Sequence, residues 1–218
     1  MNTEQRIMRC HIEGSWTAKD MAESLIAFRT LYNLRLGLQI IAEDYRDMEE
    51  FYFELRHFPP FRRRLKGRRP HPLMMQTLLS SSFTLPTVNP EHIARLLLPQ
   101  EELLVRRIEY ASPGFKDLAG LGEIVGHIKD FTLRLIEHFS SRKSRNLNNE
   151  EHEIRNQSLR IQNARDFVAL VKECGYDESE VRQIVNGVDD TQDSLIRLIS
   201  NGKLQNVQML DEPDQKPD

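Results

Sequence analysis

Seven cations, Arg56, Arg62, Arg63, Arg64, Lys66, Arg68 and Arg69, stand in a stretch with no acid between Arg56 and Pro90, and Phe58 and Phe61 lie among them. Clustered guanidinium and ammonium groups hold phosphates, and interleaved rings stack on bases. Arg62, Arg63, Arg64, Lys66, Arg68 and Arg69 are therefore a candidate polyanion site for nucleic acid or another phosphate-bearing ligand, such as a nucleotide or a lipid head group. A competing partner sits inside the chain. Glu173, Asp177, Glu178, Glu180, Asp189, Asp190 and Asp193 are set against Arg182 alone, so the two stretches can also meet in a salt-sensitive contact. The formal charge of -3 excludes a surface built throughout for nucleic acid and makes any such site regional.

Other chemistry-bearing residues point less sharply. Gly120, Gly122 and Gly126 are spaced G-x-G-x-x-x-G, one residue longer than the dinucleotide-binding loop and far behind the preceding apolar run. Close packing of another helix across Gly122 and Gly126 is the expected role. Glu123 lies one helical turn before His127, and His138 about three turns after it. An acid so placed can orient a histidine, but no further His or Cys falls at metal-ligand spacing. A surface i,i+4 pair is expected, with no metal and no cofactor. Ser80-Ser81-Ser82 lacks the flanking glycines of a nucleophile elbow, and Cys174 has no base beside it, so no catalytic residue is assigned.

The elements that would position these groups read as follows. Met8, Cys10 and Ile12 alternate with Arg9, His11 and Glu13, the period of a half-buried strand over 7–13. Thr17 and Asp20 then start a helix that runs on through Tyr45 to His57 and stops at Pro59-Pro60, with Arg35 a gap in its apolar stripe and Gly37 a possible break. Six of the ten prolines fall from Pro59 to Pro90, so 58–90 reads as a long basic, Pro-rich loop with one short helix around Leu73 to Leu79. Leu103 to Tyr110 reads as a second strand, to be paired with the first, and Ala111-Ser112-Pro113-Gly114 as a turn. From Leu118 the residues Leu121, Val125, Ile128 and Leu135 step by three, four and seven along one face of a central helix. A helix is expected over 150–174, and Leu147 just before it, Ile154, Ile161 and Val168 recur at intervals of seven, a coiled-coil-like stripe. Two short helices separated at Gly187-Val188-Asp189-Asp190 follow, then a disordered tail over 205–218.

The turn Tyr110-Ala111-Ser112-Pro113-Gly114 before a long helix resembles uncharacterised bacterial proteins that share a Tyr-x-Ser-Pro-Gly turn, a resemblance that implies no activity. Cys174-Gly175-Tyr176-Asp177 and the helices around it resemble a ubiquitin-associated-type three-helix module. That likeness covers about the last forty residues and is one that any small bundle can show.

Two cysteines, Cys10 and Cys174, make no disulfide framework and point to a reducing cytoplasm. The start of the chain has no apolar run behind a basic end, and the window from Leu118 to Ile136 holds five ionisable groups, so neither a secretory signal nor a membrane span is expected. The expected fold class is α+β, predominantly α-helical: a small two-stranded sheet with N-terminal helices over 1–112, then a C-terminal helical, coiled-coil-like assembly region over 113–204. The function expected from this is non-catalytic, as a homo-oligomer or a binder of a protein partner. Leu121, Val125, Ile128, Leu135, Ile154, Ile161 and Val168 would form the interface, and polyanion binding by the basic loop is the alternative.

Overall fold

The computed structural model describes residues 4–57, 97–140, 149–174 and 176–210, with the backbone alone for 44–45, 47–57, 140 and 149–156. Its elements in chain order are β1 (Gln5–Ile12), α1 (Ala18–His57), a 3-10 turn (Pro99–Glu101), β2 (Leu104–Glu109), β3 (Gly114–Leu121), α2 (Gly122–Ser140), α3 (Asn149–Glu173), α4 (Glu178–Ser200) and β4 (Leu204–Leu210). The strands form one antiparallel sheet in the order β2-β3-β1-β4. A strand-helix-strand-strand-helix-strand chain in that order is the ferredoxin-like split plan, here with α3 and α4 inserted before the last strand.

The sheet therefore has four strands, not the two expected, and the expected pair do not touch. β3 lies between β1 and β2, with Cys10 opposite Lys116 and Ile108 on the other side of Lys116. The missed strand has a physical reason. The side of β3 that faces the helices carries Gly114, Lys116, Leu118 and Gly120, so it shows no period-two apolar signal, while Leu118 and Leu121 fit the helical step of the segment after them. β4 was likewise expected to lie in a disordered tail from 205. It pairs instead with β1, Met209 opposite Met8 and Val207 opposite Cys10, and residues beyond 210 lie outside those described.

α1 is continuous through Gly37, and every residue from 31 to 40 is buried. A helix can be buried all round when it is enclosed on most sides, here by α2, α3 and α4 and, through Ser24 and Tyr32, by the sheet, and polar Asn33, Arg35 and Gln39 are buried with the rest. Its start is a reciprocal cap: Thr17 N–H donates to Asp20 Oδ2 at 3.0 Å, and Asp20 N–H to Thr17 Oγ1 at 3.1 Å. Lys203, just before β4, joins Asp20 at 2.6 Å, and with the threonine it holds that carboxyl below the usual range. α4 is one helix rather than two, opened by Asp177, which accepts from Ser179 and Glu180 N–H. The three-helix module is accordingly not formed by these residues, since α4 runs on without a break and leads into a strand.

The boundary expected at 112/113 falls inside the β2-β3 hairpin. β1 sits between β3 and β4, and one apolar cluster runs from Met8 through Leu31, Ile124 and Val171 to Val207. The described parts of the two expected domains share that core.

Candidate functional site

Three places concentrate polar chemistry. The first is Lys116, which β3 turns toward the helices and which is 0% exposed. Its Nζ reaches Ser24 Oγ at 2.5 Å and sits 4.9 Å from the Trp16 ring and 5.0 Å from the Phe28 ring. Burial without a carboxylate partner pushes the ammonium down to about 8. Cys10 is opposite it on β1, and burial pushes that thiol up to about 12. An amine that deprotonates near neutrality has the reactivity of a nucleophile or a base. Here it is sealed between rings, so no substrate reaches it in this conformation.

The second place is a shallow cleft where α1, α2 and α3 meet, lined by Arg35, His127, Ile128, Phe131, Arg134, Asp166 and Phe167. Arg35 is only 9% exposed. It contacts His127 Nε2 at 2.9 Å and donates to the Asp166 carbonyl at 3.4 Å. A guanidinium has no acceptor, so His127 Nε2 accepts, which selects the neutral Nδ1–H tautomer. Desolvation, then the Arg35 charge, lower the His127 pKa in the same sense. Arg134 donates to Asp166 Oδ2 at 3.0 Å and closes the other wall. Next to the cleft, Gln39 donates to Glu123 Oε1 at 2.8 Å. Arg35 Nε and Gln39 Oε1 are buried without a protein partner. The enclosed space suits about one water, which would satisfy such an atom.

The third place is the sheet itself. On the face away from the helices Arg9 forms a two-pronged bond with Asp117, both contacts 2.7 Å, and lies 3.9 Å over the Phe115 ring. Arg107 adds a second guanidinium 5.0 Å from that ring. At the sheet's outer edge, β2 exposes Val105 and Ile108, and Tyr110 follows at 60% exposed.

Close approaches explain the glycines. A Cβ at Gly114 would run into the Glu109 and Ala111 carbonyl oxygens, and one at Gly120 would lie 2.7 Å from the Tyr32 ring. That ring is pinned through its hydroxyl, which accepts from Leu121 N–H at 2.9 Å and donates to the Glu101 carbonyl at 2.8 Å. Gly122 meets the Arg6 side chain, while a Cβ at Gly126 would have nothing within 4 Å. Among the described residues no helix packs across Gly122 and Gly126 as expected.

Leu121, Val125, Ile128 and Leu135 are all buried within this chain, Leu121 on β3 rather than on a helix. They are covered by its own core and leave no surface for another copy. On α3 the buried line is Ala164, Phe167 and Val171, which leaves Ile161 70% exposed and Val168 half-buried. The side chain of Ile154 lies outside the described residues, as do Arg62, Arg63, Arg64, Lys66, Arg68 and Arg69. Glu123 and His127 share a helix face as expected, but the carboxylate bonds to Gln39 rather than to the ring. The gap at Arg35 in the α1 stripe and the Glu123–His127 spacing were the sequence signals for the cleft. Nothing marked Lys116, because a single lysine in a strand normally faces water.

No family model, no curated protein and no solved structure matches the chain. Among the described residues no group of His, Cys, Asp and Glu could hold a metal ion, and no helix is long and apolar enough to cross a membrane.

Proposed function

We propose that the chain is a non-catalytic assembly protein that joins copies of itself. The observation that supports this reading is the exposed apolar surface at the sheet edge, Val105 49% and Ile108 42% exposed on β2 and the Tyr110 ring 60% exposed just after it, its hydroxyl tied to the Trp16 backbone. Single exposed apolar residues are ordinary, whereas three within six positions at an open strand edge gain by being covered. Ile161 on α3 offers a separate apolar contact. Sedimentation velocity of the full chain over a wide concentration range tests the proposal. The expected result is a species heavier than the 25.5 kDa chain, weakened by Ile161→Asp or by Ile108→Lys according to which surface is used. A chain that stays monomeric at every concentration removes the reading.

A further inference from the structure

The assembly reading can be taken to a particular contact, because β2 is self-complementary in one register. Past the irregularity between Val105 and Arg107, β2 pairs regularly with β3: Arg107 opposite Asp117, Ile108 opposite Lys116 and Glu109 opposite Phe115. Directly opposed residues of an antiparallel pair share a face. Asp117 and Phe115 contact Arg9 on the face away from the helices, while Lys116 points toward the helices. Arg107 and Glu109 therefore sit on the outer face, and Ile108 sits on the helix side.

A second copy that adds to the edge of β2, which no described residue pairs, about a two-fold axis perpendicular to the sheet keeps the outer faces together. Outer residues then oppose only outer residues. That leaves three central residues in the regular part of the strand. Centring on Arg107 sets two guanidiniums against each other, and centring on Glu109 sets two carboxylates against each other. Centring on Ile108 places Arg107 opposite the partner's Glu109, Glu109 opposite the partner's Arg107, and Ile108 against its own counterpart. Since Arg107 already reaches Glu109 within the strand at 2.7 Å, the two copies would bring four charges of alternating sign together.

We infer that, within the assembly reading proposed above, two copies pair antiparallel through β2 with the axis at Ile108, which makes one continuous sheet across the dimer. The irregularity at Arg106 ends the pairing on one side and the Ala111 to Pro113 turn ends it on the other. A strand contact this short gives a weak, rapidly exchanging dimer rather than an obligate one.

Arg107 and Glu109 are exposed, so charge reversal leaves the core untouched, and circular dichroism confirms folding. Sedimentation velocity at up to several hundred micromolar is run on the parent, on Arg107→Glu, on Glu109→Arg, and on an equimolar mixture of the two variants. The parent is expected to dimerise. Each variant alone opposes like charges twice and weakens the dimer about tenfold or more. The mixture restores association, because the introduced glutamate at 107 then faces the introduced arginine at 109, and Glu109 of the first variant faces Arg107 of the second, while each strand remains like-charged within itself. A mixture no stronger than the separate variants overturns the inference. An assembly indifferent to Arg107→Glu but lost in Ile161→Asp overturns it and keeps the assembly reading. A monomeric parent removes both.

Discussion

Replacing Lys116 with methionine should make the protein more stable, and the gain should depend on pH. The side chain is fully enclosed by Trp16, Phe28 and Ser24 with no carboxylate in contact. Its pKa falls from 10.5 to about 8, which at about 1.4 kcal/mol per pH unit amounts to about 3 kcal/mol at neutral pH. That is the cost of keeping the ammonium where water cannot reach it. Methionine fills nearly the same volume without a charge. Ser24 Oγ still donates to the Met21 carbonyl at 2.8 Å, so no hydroxyl is orphaned. The cation–π contacts are lost, at about 0.5–2 kcal/mol. The net expectation at pH 7 is a gain of about 1–3 kcal/mol, or a rise in Tm of several degrees for a chain of this size.

The sign of the pH dependence follows from linkage. Between pH 8 and 10.5 the unfolded chain holds a proton on Lys116 that the folded chain has released, so this group's contribution to stability rises with pH across that window. Cys10, pushed up to about 12 by burial, acts in the opposite sense from about pH 9 upward. The parent's own profile therefore mixes the two, and the difference between Lys116→Met and the parent isolates the lysine. Urea unfolding monitored by Trp16 fluorescence at pH 7, 8, 9 and 10 measures it. The advantage of the variant should shrink steadily above pH 8. A variant less stable than the parent at pH 7, or a gain that does not change with pH, would refute the reasoning and show that the box stabilises the ammonium.

His127 carries a lowered pKa because it is partly desolvated and faces Arg35. As pH falls below its ordinary value of 6.5 the unfolded chain takes up a proton that the folded chain refuses, so stability declines. His127→Gln, which keeps an acceptor for Arg35, should flatten the slope between pH 5 and 7 in chemical denaturation, and an unchanged slope would contradict the assignment. Tyr32→Phe takes the acceptor from Leu121 N–H in a buried place and removes the hydroxyl's bond to the Glu101 carbonyl. It should lower stability by about 1–3 kcal/mol, read as a shift in the urea midpoint.

The parts of the fold legible in the sequence are those where burial is one-sided. β1 alternates cleanly because one face meets the core and the other carries Arg9 and His11. The two ends of α1 could be placed because Thr17 and Asp20 cap it and Pro59-Pro60 follows it. β3 was not legible, since the residues that let it lie close under α1 are Gly120, which admits the Tyr32 ring, and Lys116, whose burial no pattern announces. The seven-residue stripe does not coincide with the line of α3 that is buried within the chain, for a related reason. Leu147, Ile154, Ile161 and Val168 keep a strict seven-residue interval, but the line that packs runs through Asn163, Ala164, Phe167 and Val171. It includes a buried amide, Asn163, bonded to Gln192 of α4 at 3.3 Å. A stripe drawn from apolar residues alone discards such a position.

The same logic bears on how the sheet presents itself. Among the described residues the helices lie on one side of the sheet, and the outer face is tied together by Arg9, Asp117 and Phe115. The edge strand β2 sets Val105 and Ile108 on the helix side, where both stay exposed. Charges on an edge usually prevent pairing with other chains. In β2 the order Arg107, Ile108, Glu109 makes the charges repel only when the partner arrives in the wrong register. If two copies pair as inferred above, such an edge would reject other registers and accept its own copy, and its two charges could be exchanged without disturbing the core.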